Sequence, residues 1–440
     1  MKKIFGILIV IAAMLSLGSC TKEASRVFDQ SPQERMSDTI DYLRSAFMGA
    51  PNGWVAYTPT FYAGGFGYFM KFGDSMKVTM FSDYSTAFAS TPKTSTSRLK
   101  VDLGAALSFD TYNYITEINN PEVNPVNGLG GDVDYIYDHR SGNGDSLFFF
   151  GKRYAKPLIF VKATAAQEAQ YNSGKFPAAI DSFNKAMVNA LIVTEDGSRL
   201  AFELNSTNSV TAGKRITMYV LNSSDEIMSS SVAKYAYLAD QIPILDSGLN
   251  VKGMRFTRIA WKDSKTLAIY TSTGKEYVIQ NIANPKLPLY TLMGNRYTSM
   301  FGEYKSTYPG TSAAGQSILN YYYDNVTVPS LVNGVTFTSG TINLVWSGTL
   351  NQVTLQGIGT GPTSYTTRIV YSYTRTDKQF VFKQYIGASG GYTSGILTQL
   401  DAFIKNNTLT LDYYTGSNGT TYGQFTSVEN PSLTMSFLLR

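Results

Sequence analysis

The spacing of apolar positions predicts a helix where the body of the chain begins. Ser31, Pro32 and Glu34 supply an N-cap, a proline suited to the first turn and the acid of a capping box. Gly49 and Pro51 then mark its end. Between them, apolar residues share one helical face at spacings of four, three and four: Met36, Ile40, Leu43 and Phe47.

From there to residue 440 the apolar pattern mostly has the period of two that is typical of strands. Residues 66–72 and 76–80 alternate in this way. A three-residue loop at 73–75, or another odd length, keeps both apolar faces on one side, although Ser75 would occupy a position usually given to glycine. Many further short strands follow, separated by Gly and Asn turns. The pattern predicts a mainly β protein with two or three antiparallel β-sandwich or barrel-like modules, an N-terminal helix and a few connecting helices.

Two interruptions divide this β pattern. Residues 164–190 return to a helical period, and a proline-containing stretch lies at 284–288. We therefore predict an N-terminal β domain with its leading helix (31–163), a helical connector (164–190), a middle β domain (191–290) and a C-terminal β domain (291–440). The length of the chain also favours two or three domains over a single core.

The first twenty residues have the pattern of an export signal. Lys2 and Lys3 precede an apolar run at 4–17, which is too short to span a bilayer, and small residues lead to Cys20. The segment resembles the lipobox of bacterial lipoproteins, which implies removal of residues 1–19 and diacylation of Cys20. Two acyl chains give stable anchoring. Residues 20–30 would then form a tether no longer than roughly 35 Å.

Composition excludes several classes of chemistry. Of 37 Lys and Arg residues, 35 remain after removal of residues 1–19, against 32 acidic residues, so the mature charge of +3 does not indicate a nucleic-acid partner. The chain has one Cys and one His, which disfavours disulfides, thiol catalysis, haem and zinc sites. We expect no cofactor. A Ser–His–Asp site would have to use His139, which lies in a predicted hairpin loop at 138–145 and is expected to be solvated.

A few side chains are candidates for binding or modification. Carboxylates with shared strand parity, or placed across the predicted hairpin, are calcium candidates, although a solvated outer face explains them more simply: Asp132, Asp134, Asp138 and Asp145. Ser75 and Ser146 lie in short Asp-Ser-apolar triplets and are candidates for O-glycosylation. Aromatic side chains suit sugar rings, but each Trp lies in or beside an alternating segment, which favours a core position: Trp54, Trp261 and Trp346.

Residues 31–165 also carry a family resemblance. They resemble Bacteroidota lipoproteins catalogued only as a domain of unknown function, with Val133 where that family usually has an aromatic residue. The matching segments are Gly53-Trp54, Gly64-Gly65-Phe66-Gly67-Tyr68-Phe69-Met70-Lys71-Phe72, Val78-Thr79-Met80, Ser97-Arg98-Leu99-Lys100, Leu107-Ser108-Phe109-Asp110-Thr111-Tyr112-Asn113, Gly131-Asp132-Val133-Asp134-Tyr135 and Gly151-Lys152-Arg153. The resemblance implies an envelope lipoprotein whose relatives often accompany outer-membrane uptake machinery. It implies no catalytic residues.

Together these observations favour a non-enzymatic lipoprotein of the cell envelope. We expect it to be held at the outer membrane, on the cell surface or the periplasmic face, by the lipid on Cys20. It would bind glycans or peptides or assist outer-membrane uptake proteins. A hydrolase with two catalytic carboxylates is an alternative, because such a pair leaves no sequence motif. A structural or adhesive surface protein is another.

Overall fold

The computed structural model describes residues 30–123, 127–206, 213–282, 285–390, 394–417 and 419–440. They form two closed eight-stranded antiparallel barrels, joined by a middle unit of two five-stranded sheets. This architecture confirms the predicted mainly β fold, and the predicted domain boundaries stay predictions. Within these ranges, no helix has the length and apolarity needed to cross a membrane.

The N-terminal barrel follows helix α1 (Pro32–Met48), and a short helix α2 (Thr86–Ser90) joins two of its strands. Each strand pairs with the next one in sequence, and the last strand closes on the first. The strands are β1 (Trp54–Pro59), β2 (Gly65–Phe72), β3 (Lys77–Ser82), β4 (Lys93–Val101), β5 (Ala105–Phe109), β6 (Asp134–Arg140), β7 (Ser146–Gly151) and β8 (Pro157–Lys162).

Helix α1 begins as its sequence predicts and closes one end of this barrel. The Ser31 hydroxyl accepts from the Glu34 amide at 3.2 Å, and the Glu34 carboxylate accepts from the Ser31 amide at 2.7 Å. At the other end of the helix, Phe47 packs between Trp54 and Phe72, with ring centroids 5.7 and 4.4 Å away. Trp54 starts β1 and Phe72 ends β2, so α1 lies over this end of the barrel.

The β2–β3 hairpin has an odd-numbered connection, but it is five residues long rather than three. Phe72 pairs with Val78 and Met70 with Met80, which leaves residues 73–77 between the paired positions. Ser75 and Met76 both take left-handed backbone conformations, with φ of 57° and 59°. Two such residues lengthen the turn while the apolar faces stay in register.

The middle unit opens with helices α3 (Ala165–Asn172) and α4 (Phe176–Ala186). One sheet has the order β12-β11-β10-β9-β18, and in the other β15 pairs with β13, β14 and β16, with β17 at the edge. The strands are β9 (Ala190–Val193), β10 (Arg199–Asn205), β11 (Arg215–Leu221), β12 (Ile227–Lys234), β13 (Gln241–Pro243), β14 (Leu249–Val251), β15 (Met254–Trp261), β16 (Leu267–Thr271), β17 (Glu276–Val278) and β18 (Gln280–Asn281).

The C-terminal barrel again joins consecutive strands and closes the last on the first. Helix α5 (Leu289–Leu292) precedes it, and helices α6 (Ala313–Asn325) and α7 (Thr398–Asn406) pack into its core. The strands are β19 (Ser299–Gly302), β20 (Ser339–Trp346), β21 (Gln352–Thr360), β22 (Ser364–Thr376), β23 (Gln379–Gly390), β24 (Thr408–Thr415), β25 (Thr421–Ser427) and β26 (Thr434–Leu439).

The N-terminal barrel and the middle unit share one hydrophobic core. Val55, Phe69 and Phe81 point outward from three neighbouring barrel strands and belong to the same buried cluster as the inner faces of the middle sheets. The Phe69 ring stacks on Tyr171 of α3 at 4.8 Å. The outer wall of this barrel is therefore an interior surface of the molecule.

Glycines allow this close approach. A Cβ atom on Gly65 would lie 2.7 Å from the carbonyl oxygen of Tyr235, and one on Gly67 would collide with the carbonyl oxygen of Tyr237. Because only glycine lacks this atom, the backbone of the middle unit can lie directly on β2. The glycine run at 64–67, which carries part of the family resemblance, thus has a structural role.

A buried ion pair completes the junction. The Lys214 ammonium lies 2.7 Å from the Asp83 carboxylate, and both side chains are almost fully buried. Asp83 also accepts hydrogen bonds from the amides of Gly67 at 2.9 Å and Tyr237 at 2.7 Å. Loss of water raises the pKa of Asp83 and lowers that of Lys214, and the attraction between the two charges opposes both shifts.

Candidate binding cleft

The junction between the middle unit and the C-terminal barrel is built differently. Its apolar contact is a small cluster that includes Leu191, Ala201, Leu221, Leu287 and Leu292. These residues come from the outer face of the first sheet and from the connection that leads into the barrel. Beside this cluster the two units diverge and leave a cleft.

The cleft has a volume of about 800 Å³. Four segments line it: the β11–β12 turn at 224–228, the connection at 285–290, the β22–β23 turn at 376–379, and residues 410–413 of β24. Ligand pockets often form between domains and have volumes of roughly 300–1,000 Å³. The size and position of the cleft therefore make it the candidate binding site.

Most of the charges that line the cleft are already paired. Asp225 forms ion pairs with Arg199 and, at 3.2 Å, with Lys286. Asp412 lies 2.7 Å from Lys378. Four acids and two lysines line the cleft, so Glu226 and Asp377 have no ammonium partner among the lining residues, and the cleft offers hydrogen-bonding groups with a modest negative charge.

Two tyrosines give the cleft its aromatic surface. The Tyr413 hydroxyl donates to the carbonyl oxygen of Leu287 at 3.2 Å, which ties β24 to the connecting segment. Burial raises the pKa of Tyr413, so this hydroxyl keeps its proton. The Arg375 guanidinium lies over the Tyr290 ring, 4.2 Å from its centroid, and orients that ring.

A buried acid lies at the same junction, behind the cleft lining. Glu203 of β10 is 5% exposed. It accepts hydrogen bonds from the Asn295 side chain at 2.6 Å and the Tyr219 hydroxyl at 3.3 Å. Burial raises its pKa to about 7, against the opposing effects of Asn295, Arg296 and Tyr219. This group contacts side chains on both sides of the junction.

The four calcium candidates have separate protein partners. Asp132 accepts from the amides of Arg153 and Tyr154 at 2.6 and 3.2 Å. Asp134 accepts from the Lys100 ammonium at 2.9 Å and from Ser108. Asp138 bonds to His139, and Asp145 accepts from the Asn143 side chain at 2.8 Å. Within the ranges described above, no group of three or more His, Cys, Asp or Glu side chains is placed to hold a metal ion.

The predicted loop at 138–145 is wrong at its start, because β6 continues to Arg140. The register shifts at Asp138, so this residue sits in a bulge and loses the strand parity expected of it. His139 lies on the strand with its ring stacked on Phe148, 4.3 Å between centroids and 5° between planes. This cross-strand contact extends the hairpin beyond its apolar residues.

The other predicted sites are placed as follows. Ser75 is exposed in the β2–β3 turn, and Ser146 is the partly buried first residue of β7. Cys20 lies outside the described residues. Trp54 and Trp346 are buried in the two barrels, as the sequence favours, whereas Trp261 is only partly buried and packs against the core of the middle unit.

Sequence reasoning missed the cleft. Its lining comes from four segments that are far apart along the chain, and of these the sequence pattern marks only the proline-containing stretch at 284–288, as a domain boundary. A cleft formed by the packing of two modules leaves no local pattern in either.

Comparisons with known proteins add little about function. No curated protein sequence matches the chain. Among solved structures, a Helicobacter pylori β-clamp in complex with 5-chloroisatin is 10% identical with a TM-score of 0.13, covering 92% of this chain and 98% of its own. A Mycobacterium tuberculosis puromycin-hydrolyzing peptidase is 9% identical with a TM-score of 0.13, covering 87% of this chain and 59% of its own. Similarities this weak support no conclusion about fold or function.

A family model, in contrast, matches more than half of the sequence. The matched residues run from 24 to 263 and cover the N-terminal barrel and the middle unit as far as the end of β15. The chain belongs to this family, described as a domain of unknown function (DUF4302).

Proposed function

We propose that the protein is a lipid-anchored envelope protein that binds an oligosaccharide in the cleft and serves nutrient uptake without catalysing a reaction. The observation that carries this proposal is the cleft itself, with a volume of about 800 Å³ between two modules. Its tyrosines, hydroxyls, amides and excess of carboxylates suit a ligand that is rich in hydroxyl groups and carries no negative charge. The export pattern that ends at Cys20 supports the anchor.

Binding can be tested with the chain from Thr21 onward on a glycan array and a peptide panel, followed by calorimetry. We expect Tyr290→Ala and Gln379→Ala, which change cleft residues, to weaken glycan binding at least tenfold, or about 1.4 kcal/mol. Tyr365→Ala removes a 40% exposed tyrosine from the same barrel outside the cleft lining and should bind normally. Binding to peptides alone would contradict the ligand class, and no binding to either panel would contradict the binding role.

The anchor has its own test. Growth with a labelled fatty acid should label the wild-type protein, and Cys20→Ser should abolish the label and release the protein from the membrane fraction. Membrane retention of unlabelled Cys20→Ser protein would contradict the anchor and leave the cleft unaffected.

A hydrolase is the second candidate, because the cleft contains four acids: Asp225, Glu226, Asp377 and Asp412. A glycosidase needs one protonated and one ionised carboxyl group flanking the bond. Asp225 and Asp412 are both ion-paired with lysine, which suits a binding surface better than an acid catalyst. Release of shorter products from a bound glycan, abolished in Asp377→Asn, would favour the hydrolase.

A further inference from the structure

A group of positively charged side chains lies at the end of the β11–β12 hairpin that is opposite the cleft. Two of them are on neighbouring strands. Arg215 of β11 and Lys234 of β12 are directly opposite each other in the antiparallel pair. Opposite residues in such a pair project to the same face with Cβ atoms roughly 5 Å apart, and like charges there are destabilising. The fold holds these two cations together against their repulsion.

A third cation joins them from the N-terminal barrel. The Lys234 ammonium donates to the carbonyl oxygen of Thr60 at 2.6 Å, and Phe61 is the next residue. The Lys156 ammonium lies 5.6 Å from the centroid of the Phe61 ring. Burial lowers the pKa of Lys234, the charge of Asp246 opposes this shift, and the charges of Lys156 and Arg215 add to it, so both of these cations lie within electrostatic range of Lys234.

Little negative charge offsets this cluster, which we define as Lys156, Arg215 and Lys234. Within the described part of the chain, only Asp246 has a carboxylate within ion-pair distance of any of the three, at 3.9 Å from Lys234. Arg215 donates to the carbonyl oxygen of Gly213 at 3.3 Å. Such a concentration of cations attracts an anion.

An exposed aromatic surface borders the cluster. Phe61 is 52% exposed although its ring stacks on Tyr154 at 5.4 Å. Flat aromatic faces suit the apolar faces of sugar rings, and a neighbouring ammonium suits an acidic substituent on the same ring. A sugar ring that carries an anionic group can contact both the aromatic surface and the cations, whereas a simple ion can contact only the cations.

The position of the cluster favours a ligand from solution over a lipid headgroup. Phe61 lies just beyond the end of β1, whereas α1, through which the chain enters the barrel, packs against Trp54 at the start of that strand. The six residues of β1 separate the two ends by roughly 20 Å. The cluster therefore lies at the barrel end opposite α1.

We propose that Lys156, Arg215 and Lys234, with the Phe61 ring beside them, form a binding site for an acidic sugar, such as a uronate or sulfated residue of a polysaccharide. The site is separate from the cleft and does not depend on its function.

The test uses the chain from Thr21 onward and calorimetry at low ionic strength with a galacturonate hexamer. We expect binding to fall at least tenfold in Lys156→Met/Arg215→Met and in Phe61→Ala, and to be unchanged in Lys305→Met, which removes an exposed lysine of the C-terminal barrel. Tyr290→Ala in the cleft should also leave it unchanged, which separates failure of this site from failure of the cleft. Equal binding by the double variant, or equal binding of a neutral maltose-series hexamer, would overturn the proposal.

Two further measurements distinguish the source of the anion and the role of repulsion. Vesicles of equal parts phosphatidylglycerol and phosphatidylcholine should not compete with the hexamer, and binding to vesicles in place of the hexamer would overturn the acidic-sugar assignment. Without ligand, Arg215→Met should raise the melting temperature, because it relieves repulsion with Lys234. A lower melting temperature, with hexamer binding retained, would overturn the role of Arg215.

Discussion

The two barrels have the same strand order and the same middle unit as neighbour, yet they attach to it in different ways. The outer wall of the N-terminal barrel is part of the core of the middle unit. The C-terminal barrel meets that unit through a small apolar cluster and leaves a cleft of about 800 Å³ beside it. The comparison indicates that binding space lies at the junction where packing is least complete.

Glycine positions explain part of this difference. In the N-terminal barrel, Gly65 and Gly67 let the backbone of another module lie against β2. In the C-terminal barrel, Gly315 and Gly340 instead allow close contacts within the barrel itself. A Cβ atom on Gly315 would lie 2.8 Å from Met435 of β26, and one on Gly340 would lie 2.8 Å from Val326, which follows α6. The glycines of the N-terminal barrel therefore allow it to pack against the middle unit, and those of the C-terminal barrel allow it to pack against its own helix α6.

The buried polar groups at the two junctions also differ. Asp83 and Lys214 are a matched pair that crosses the N-terminal junction with both side chains buried. At the C-terminal junction Glu203 is a buried acid with uncharged hydrogen-bonding partners and Arg296 nearby. The N-terminal junction therefore buries two opposite charges, and the C-terminal junction buries one acid whose pKa is raised to about 7.

Of the three changes proposed here, breaking the buried ion pair between Asp83 and Lys214 should lower the free energy of unfolding the most. Lys214→Met leaves the Asp83 carboxylate buried without its counter-charge, and we expect a loss of about 3–5 kcal/mol in the free energy of unfolding. Urea unfolding followed by tryptophan fluorescence measures this loss. Lys305→Met is the control, because its ion pair with Asp324 at 3.4 Å is exposed and should contribute nothing measurable.

A second variant keeps this prediction testable if Lys214→Met does not fold. Asp83→Asn combined with Lys214→Met removes both charges and keeps an acceptor oxygen for one of the two amides, Gly67 or Tyr237, which bond to different oxygens of the Asp83 carboxylate. It should recover part of the lost stability. If the single and double variants both unfold like the wild type, the junction does not depend on the pair.

The sequence predicts local features of this comparison better than those between modules. The Ser31 capping box, the mainly β fold and the core positions of Trp54 and Trp346 follow from local sequence patterns and are all observed. The glycines at 64–67 stood out only through the resemblance, because their role depends on a backbone segment about 170 residues later. The cleft and the surroundings of Glu203 likewise depend on contacts between distant segments, which no local period encodes, and the Arg215–Lys234 pair depends on the register of the β11–β12 hairpin.

Changing pH should alter the contribution of Glu203, at the C-terminal junction, to the free energy of unfolding by up to about 3 kcal/mol. This pH dependence distinguishes the C-terminal junction from the N-terminal one. The folded protein raises the pKa of Glu203 from 4.5 to about 7, so it binds this proton more tightly than the unfolded chain does. The stabilisation is complete below about pH 4.5 and is lost as pH rises through about 7. Glu203→Gln keeps an acceptor for Asn295 and should remove this part of the pH dependence.

The measurement is the free energy of unfolding of wild type and Glu203→Gln from pH 4 to pH 9, taken as a difference so that other titrating groups cancel. The free energy of unfolding of Glu203→Gln should increase relative to that of the wild type as pH rises. A constant difference would show that Glu203 does not titrate in this window.

The smallest of the three effects tests whether glycine makes the N-terminal junction. Gly67→Ala places a methyl group against the Tyr237 carbonyl oxygen and should destabilise the protein by about 1–3 kcal/mol, because the two backbones must separate. Gly142→Ala adds the same methyl group where no atom lies within 4 Å and should change stability by less than about 0.5 kcal/mol. Hydrogen exchange locates the effect: in Gly67→Ala, amides at 235–238 should exchange faster while those of β20 and β21 keep their rates. Faster exchange throughout the C-terminal barrel would mean that the two junctions are coupled, which the difference in their packing argues against.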